Sequence, residues 1–251
     1  MSTVVAALNA ERIKLGTIRS PLWATLLAAA LSFGVAALQA GSTYDYERLT
    51  PQAAVLGVAV FGVPVLMVVA AMTVTGEYRA ATIRTTFMAV PDRTVVIGAK
   101  VAVAAVFSAV AALLMVAGSV LVARWVADPP AGELLTVAGS ARIGAAVALY
   151  AALAAVLAVG VAALVRHTAG AVAVLLLWPL LVEPLLGNLP GRGVQIGPYL
   201  PFANVFRFLD VPWLFPTYAG HWGSLASLGY FTAVVAVVLV AAVAVVNRRD
   251  A

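Results

Sequence analysis

The chain has 251 residues, of which 64% are hydrophobic and only 10% charged, and its mean hydropathy is +1.06. An ordinary soluble domain does not reach these values, and the absence of cysteine excludes disulfides and thiolate metal centres. The net charge of +5 does not point to nucleic acid, because the basic residues are scattered at the ends of apolar runs instead of sharing one face.

At about 20 residues per span, this length accommodates roughly six membrane helices in one domain, 1–251. Met1 to Ser20 reads as an interfacial helix with Val4, Leu8, Leu15 and Ile18 on one side, a stripe that Glu11 interrupts. A cleaved leader fits poorly, since Leu22 to Ala40 is followed by no small-x-small site before a polar hairpin. The spans are expected at about 22–40, 52–74, 99–123, 143–165, 168–186 and 225–246. Only Arg166-His167-Thr168 joins the fourth and fifth, which makes them an antiparallel pair.

Between spans two and three lies the one long charged insertion, Thr75 to Lys100, with Glu77, Arg79, Arg84, Asp92, Arg93 and Lys100. Inside it Ile83, Phe87 and Val90 recur at i, i+4 and i+7, the stripe of a short helix that Pro91-Asp92 stops. Basic residues set the orientation. With the N-terminus cytosolic, Arg12, Lys14, Arg19, Arg79, Arg84, Arg93, Lys100, Arg166, Arg248 and Arg249 lie inside, while Arg48, Arg124, Arg142, Arg192 and Arg207 lie outside. Both termini are then cytosolic.

Glu183, in Trp178-Pro179-Leu180-Leu181-Val182-Glu183-Pro184, is the one carboxylate close to a span. Either it faces the bundle interior and a substrate path, or the prolines break the helix early and leave it at the outer interface. The Pro-, Gly- and aromatic-rich segment Gly187 to Ser224, with Trp213, Phe215 and Trp222, reads equally as re-entrant or interfacial pieces and as a packed outer loop. His167 and His221 fall at opposite membrane faces, which disfavours a shared metal site. Ala154, Ala158 and Ala162 permit close approach of another helix.

The pattern GEYR-x-x-TIR-x-T-x-x-AVP-x-R-x-x-x-x-x-AK, from Gly76 to Lys100, resembles the permease subunits of actinobacterial ABC-2-type exporters. Glu11 to Trp23, ERIKL-x-TIRSPLW, resembles the opening helix of that family, and Tyr199-Leu200-Pro201-Phe202 the motif before its last span. The resemblance implies an all-α integral membrane protein of the cytoplasmic membrane: six spans, an N-terminal interfacial helix, a cytosolic coupling helix between spans two and three, and short re-entrant pieces before span six. It also implies a separate cytosolic ATPase docked on the coupling helix, and a second permease copy or sister permease. The residues expected to couple are Glu77, Arg79, Ile83, Arg84, Phe87 and Arg93.

The chain itself is not expected to be an enzyme. A phosphate-binding loop ends in Gly-Lys-Ser/Thr, and neither Lys14 nor Lys100, the only lysines, follows a glycine. Any ATP would be bound by the partner, and no cofactor is expected here. Two other readings stay open: a secondary transporter outside the ABC class, against which the spans lack paired intramembrane acids and bases, and a membrane assembly or anchoring protein without transport.

Overall fold

The structure, a computed structural model, describes residues 2–42, 48–128, 131–211 and 222–248. Among these the fold is all-helical, and six helices are long and apolar enough to cross a bilayer: Arg19–Gly41, Pro51–Arg79, Arg93–Val126, Ala138–Val165, Thr168–Gly187 and Ser224–Arg248. In chain order the helices are α1 (Thr3–Thr17), α2 (Arg19–Gly41), α3 (Pro51–Ala54), α4 (Val63–Arg79), α5 (Ile83–Ala89), α6 (Arg93–Val126) and α7 (Val137–Val165). There follow α8 (Thr168–Leu177), α9 (Glu183–Gly187), α10 (Gly193–Ile196), α11 (Pro201–Leu209) and α12 (Ser224–Arg248).

Spans two and four are the most buried and form the centre, with the other four around them and largely open to lipid. Alanine makes this centre possible. Ala154, Ala158 and Ala162 on α7 are fully buried, and at Gly160 a β-carbon would come within 3.1 Å of Val238 on α12. At Gly57 one would press into the backbone of α2 at Ser32.

The second and fifth spans each contain a π-helical turn, Val58–Gly62 and Trp178–Val182, and each turn ends two residues before a proline, Pro64 and Pro184. Proline brings no N–H to the ladder, and the wider turn absorbs the mismatch without ending the helix. For this reason Pro179 and Pro184 do not break the fifth span early, and Glu183 is carried on within the helical run.

Helix ends are set by caps and extend past the apolar runs. Asp92 accepts from the Thr94 and Val95 N–H groups and starts α6 there, Thr136 accepts from Gly139 N–H, and His167 Nδ1 accepts from Gly170 N–H. At about 1.5 Å per residue, α6 is about 50 Å long and overshoots a hydrocarbon core of about 30 Å. The charged insertion therefore shrinks to 80–92 outside the spans, with Ala81 in the left-handed region (φ 55°) reversing the chain into α5.

One end of the bundle gathers α1, α5, the start of α6 and the C-terminal turn of α12. There Arg93 Nη1 donates to the Val246 carbonyl at 2.7 Å, Asn247 donates to Thr94 Oγ1 at 3.2 Å, and the Arg166 guanidinium lies over the Tyr78 ring. At the other end, Gly187 to Ser224 is built, among its described residues, from α10, a 3₁₀ turn and α11 tucked against α7 and α12. Phe206 packs edge-on to Tyr150, and Phe202 to Phe231. Trp213, Phe215, His221, Arg249 and Asp250 lie outside the described residues.

Candidate functional site

Four ionised side chains meet at the end that holds α1 and α5. Lys100, on α6 and only 1% exposed, donates to both oxygens of Glu11 at 3.1 Å, to Glu77 Oε1 at 2.8 Å and to the Thr73 carbonyl at 2.9 Å. An ammonium has three N–H bonds, and Glu11, Glu77 and the Thr73 carbonyl between them use all three. Lys14 of α1 closes the ring by donating to Glu11 and Glu77. Two carboxylates thus balance two ammoniums, which is what allows charge this far from water.

The network ties together helices distant in sequence. Glu11 and Lys14 come from α1, Glu77 from the end of α4 and Lys100 from the first turns of α6. Thr86 Oγ1 of α5 lies 3.4 Å from Glu77 Oε2 as a donor, so the short helix joins the same group. Beside this floor a hollow of about 470 Å³ opens between α1, α4 and α5, lined by Lys14, Arg79, Thr82, Thr85 and Thr86 among others. Burial would lower the Lys14 pKa, but its hydrogen bonds to Glu11 and Glu77 and their charges outweigh that and hold it above the usual 10.5.

Two features of this end are not legible from the periodicity of one helix. Glu11, the residue that broke the stripe of α1, is buried together with Ala7, whereas Val4 and Ile18 of that stripe are exposed. A wheel drawn for α1 alone has no knowledge of Lys100, 89 residues away, which turns a misplaced acid into a paired one. On α5 the stripe is turned inward. Ile83 is buried, Phe87 packs against the bundle core with the Arg93 guanidinium 5.2 Å from its ring centre, and Val90 is half-buried. The outward face presents Arg84, Thr85 and Met88, the last 74% exposed, and Arg79 at the end of α4 is exposed as well. Met88 escaped the sequence reading because it lies off the i, i+4, i+7 stripe. Its signal is the converse one, a large apolar side chain on the polar side of a short helix.

Glu183 is completely buried at the opposite end, and both of its oxygens are occupied. Oε1 accepts from Trp178 Nε1 at 2.8 Å, and Oε2 accepts from the Phe202 and Ala203 N–H groups at 2.8 and 3.1 Å. Those amides are orphan donors in the first turn of α11, so the carboxylate caps that helix at the positive end of its dipole. With no exposed surface and both oxygens engaged, Glu183 ties the fifth span to the start of α11. Asn204 continues the anchor by donating to the Pro198 and Leu200 carbonyls and accepting from Trp222 Nε1 at 2.9 Å.

Among the described residues, no group of three or more His, Asp or Glu side chains could hold a metal ion. Six apolar helices, with a paired-charge node at one end and a short helix between spans two and three, define a multi-pass membrane protein. Residues 7–181 match the family described as ABC-2 family transporter protein, well over half of the chain, and the protein belongs to that family. It is therefore a permease component, the membrane part of an ABC transporter, whose ATPase partner is a separate function. No curated protein matches the chain.

Proposed function

We propose that this chain is the permease of an ATP-driven exporter in the cytoplasmic membrane, paired with a second permease, with both termini and α5 on the cytosolic side. The ten-to-five bias of basic residues supports that orientation, and the resemblance of Gly76 to Lys100 to exporter permeases supports the direction. The observation that carries the reading is the Glu11–Lys14–Glu77–Lys100 network. It joins α5 to the ends of spans two and three and to α1, so a push on α5 is delivered to all of them.

In this reading the ATPase seats on the outward face of α5, with Met88 as its apolar anchor and Arg79 and Arg84 fixing orientation against acidic groups. Ile83, Phe87 and Arg93 act from behind by holding α5 to the bundle, and Glu77 transmits. Fully burying a methionine is worth about 1.5–3 kcal/mol, so Met88→Asp is expected to weaken ATPase binding by about ten- to a hundredfold while the permease folds normally. Affinity recovery of the permease from its native membrane, with the bound ATPase quantified, checks this. Undiminished, stoichiometric ATPase on the Met88→Asp protein would remove α5 as the docking element.

A further inference from the structure

A second hollow, about 940 Å³, lies between α1, α2 and α6, away from the charge network. Its body is lined by apolar side chains, among them Leu26, Phe33, Val106, Val110 and Leu114. Val106, Val110 and Leu114 are exposed, so it opens sideways at the level of the spans, where the surroundings are lipid. At the α1 end the lining becomes polar, with Asn9 and Arg12. Among the described residues, no side-chain hydrogen bond or ion pair engages either of them.

Length, lining and charge together point to one occupant. From Ala102 to Met115 the hollow follows α6 for thirteen residues, about 20 Å, which exceeds the half-thickness of about 15 Å of one leaflet's hydrocarbon. An extended acyl chain matches this length and apolar lining, and the lateral opening gives it a way in from the bilayer. The single basic group at the mouth, on a helix just before the first span, stands where a headgroup phosphate would be.

We propose that this hollow binds an anionic phospholipid, an acyl chain lying along α6 between α1 and α2 and the phosphate held by Arg12 with Asn9. Arg12 sits between Glu11 and Lys14 in sequence, so the bound lipid also pins the helix that supplies half of the charge network. The proposal rests on the membrane assignment alone and stands or falls separately from ATPase docking.

The test uses the full chain reconstituted in bilayers of equal phosphatidylglycerol and phosphatidylcholine, extracted gently, with retained lipid counted by native mass spectrometry. Preferential retention of phosphatidylglycerol is expected. Arg12→Gln should reduce that preference about fivefold, the factor for one basic group at an anionic surface, while Arg12→Lys keeps most of it. Val106→Trp, which fills the body of the hollow, should lower retention of both lipids. Because Arg12 is exposed, the two Arg12 variants should unfold at the parent temperature and decide the matter even if Val106→Trp is unstable. Equal retention of the two lipids by the parent chain, or an unchanged preference in Arg12→Gln, would overturn the proposal. So would disulfide-linked dimers of Val110→Cys in the membrane, which would put a second copy in the hollow; the chain has no other cysteine to confuse that result.

Discussion

Both ends of the bundle bury carboxylate, and they neutralise it by different means. At the α11 end, Glu183 is held by a Trp N–H and two backbone N–H groups of one helix, a cap that works in one geometry only. At the α1 end, Glu11 and Glu77 are held by two flexible lysines, and the partners come from α1, α4 and α6. Fixed amide dipoles make an anchor. Long ammonium side chains spread over several helices make a joint, because each ion can keep a counter-ion while the helices shift. In the proposed function, the α11 end holds α10 and α11 in place and the α1 end relays motion.

Deleting a charge separates the two most sharply at Lys100. Lys100→Met leaves Glu11 and Glu77 with one partially exposed lysine between them, and breaking a buried pair in this way costs about 3–5 kcal/mol. Thermal unfolding of the purified variant in detergent should show that loss, and adding Glu11→Gln should return most of it because the uncompensated charge is gone. A parent-like unfolding temperature for Lys100→Met would mean the network holds nothing together.

Glu183→Leu should come next. It removes the acceptor of three hydrogen bonds and leaves two helix-start amides unpaired, for an expected loss of about 2–3 kcal/mol. Glu183→Gln keeps an acceptor oxygen and should lose less, with transport per folded molecule unchanged. If Glu183→Gln instead altered transport at parent stability, the anchoring role would be wrong and the comparison between the ends would collapse.

The smallest effect concerns pH. The folded pKa of Lys14 lies above its unfolded value of 10.5, so its stabilising contribution is complete below 10.5 and is lost as pH rises through the higher folded value. A stability profile of the parent against Lys14→Met should therefore show a constant difference from about pH 6 to 9 that narrows only in strong alkali. A difference that closes near neutrality would mean Lys14 does not sit between two carboxylates.

The six membrane helices were legible because each needs a long run without charge, and the runs at 22–40 through 225–246 supply it. Their ends were not, because hydropathy marks where lipid stops and Asp92, Thr136 and His167 mark where the helix starts. The short helix after span two was legible from Ile83, Phe87 and Val90, but periodicity says only that one face is covered and not by which molecule. Here the cover is this chain's own bundle, and the free apolar group is Met88. Glu77 was among the residues expected to couple, whereas Glu11 and Lys100 gain their meaning only from pairing across 89 residues. Glu183 was recognised as unusual, but its partner is the first turn of a helix that begins 18 residues later, a relation that exists only once the chain is folded.

The account turns on whether the α1 end relays motion, and Glu77 is the atom group through which α1, α4, α5 and α6 all connect. Glu77→Gln keeps the shape and leaves Glu11 to balance the lysines, so the fold and ATPase recovery should survive. The decisive measurement is the ATP hydrolysis rate of the reconstituted permease–ATPase complex, compared with that of the ATPase alone. The account predicts that Glu77→Gln assembles at full stoichiometry yet loses the permease-dependent change in rate, so that hydrolysis equals that of the isolated ATPase. A Glu77→Gln complex that retains the parent's response in full would contradict it.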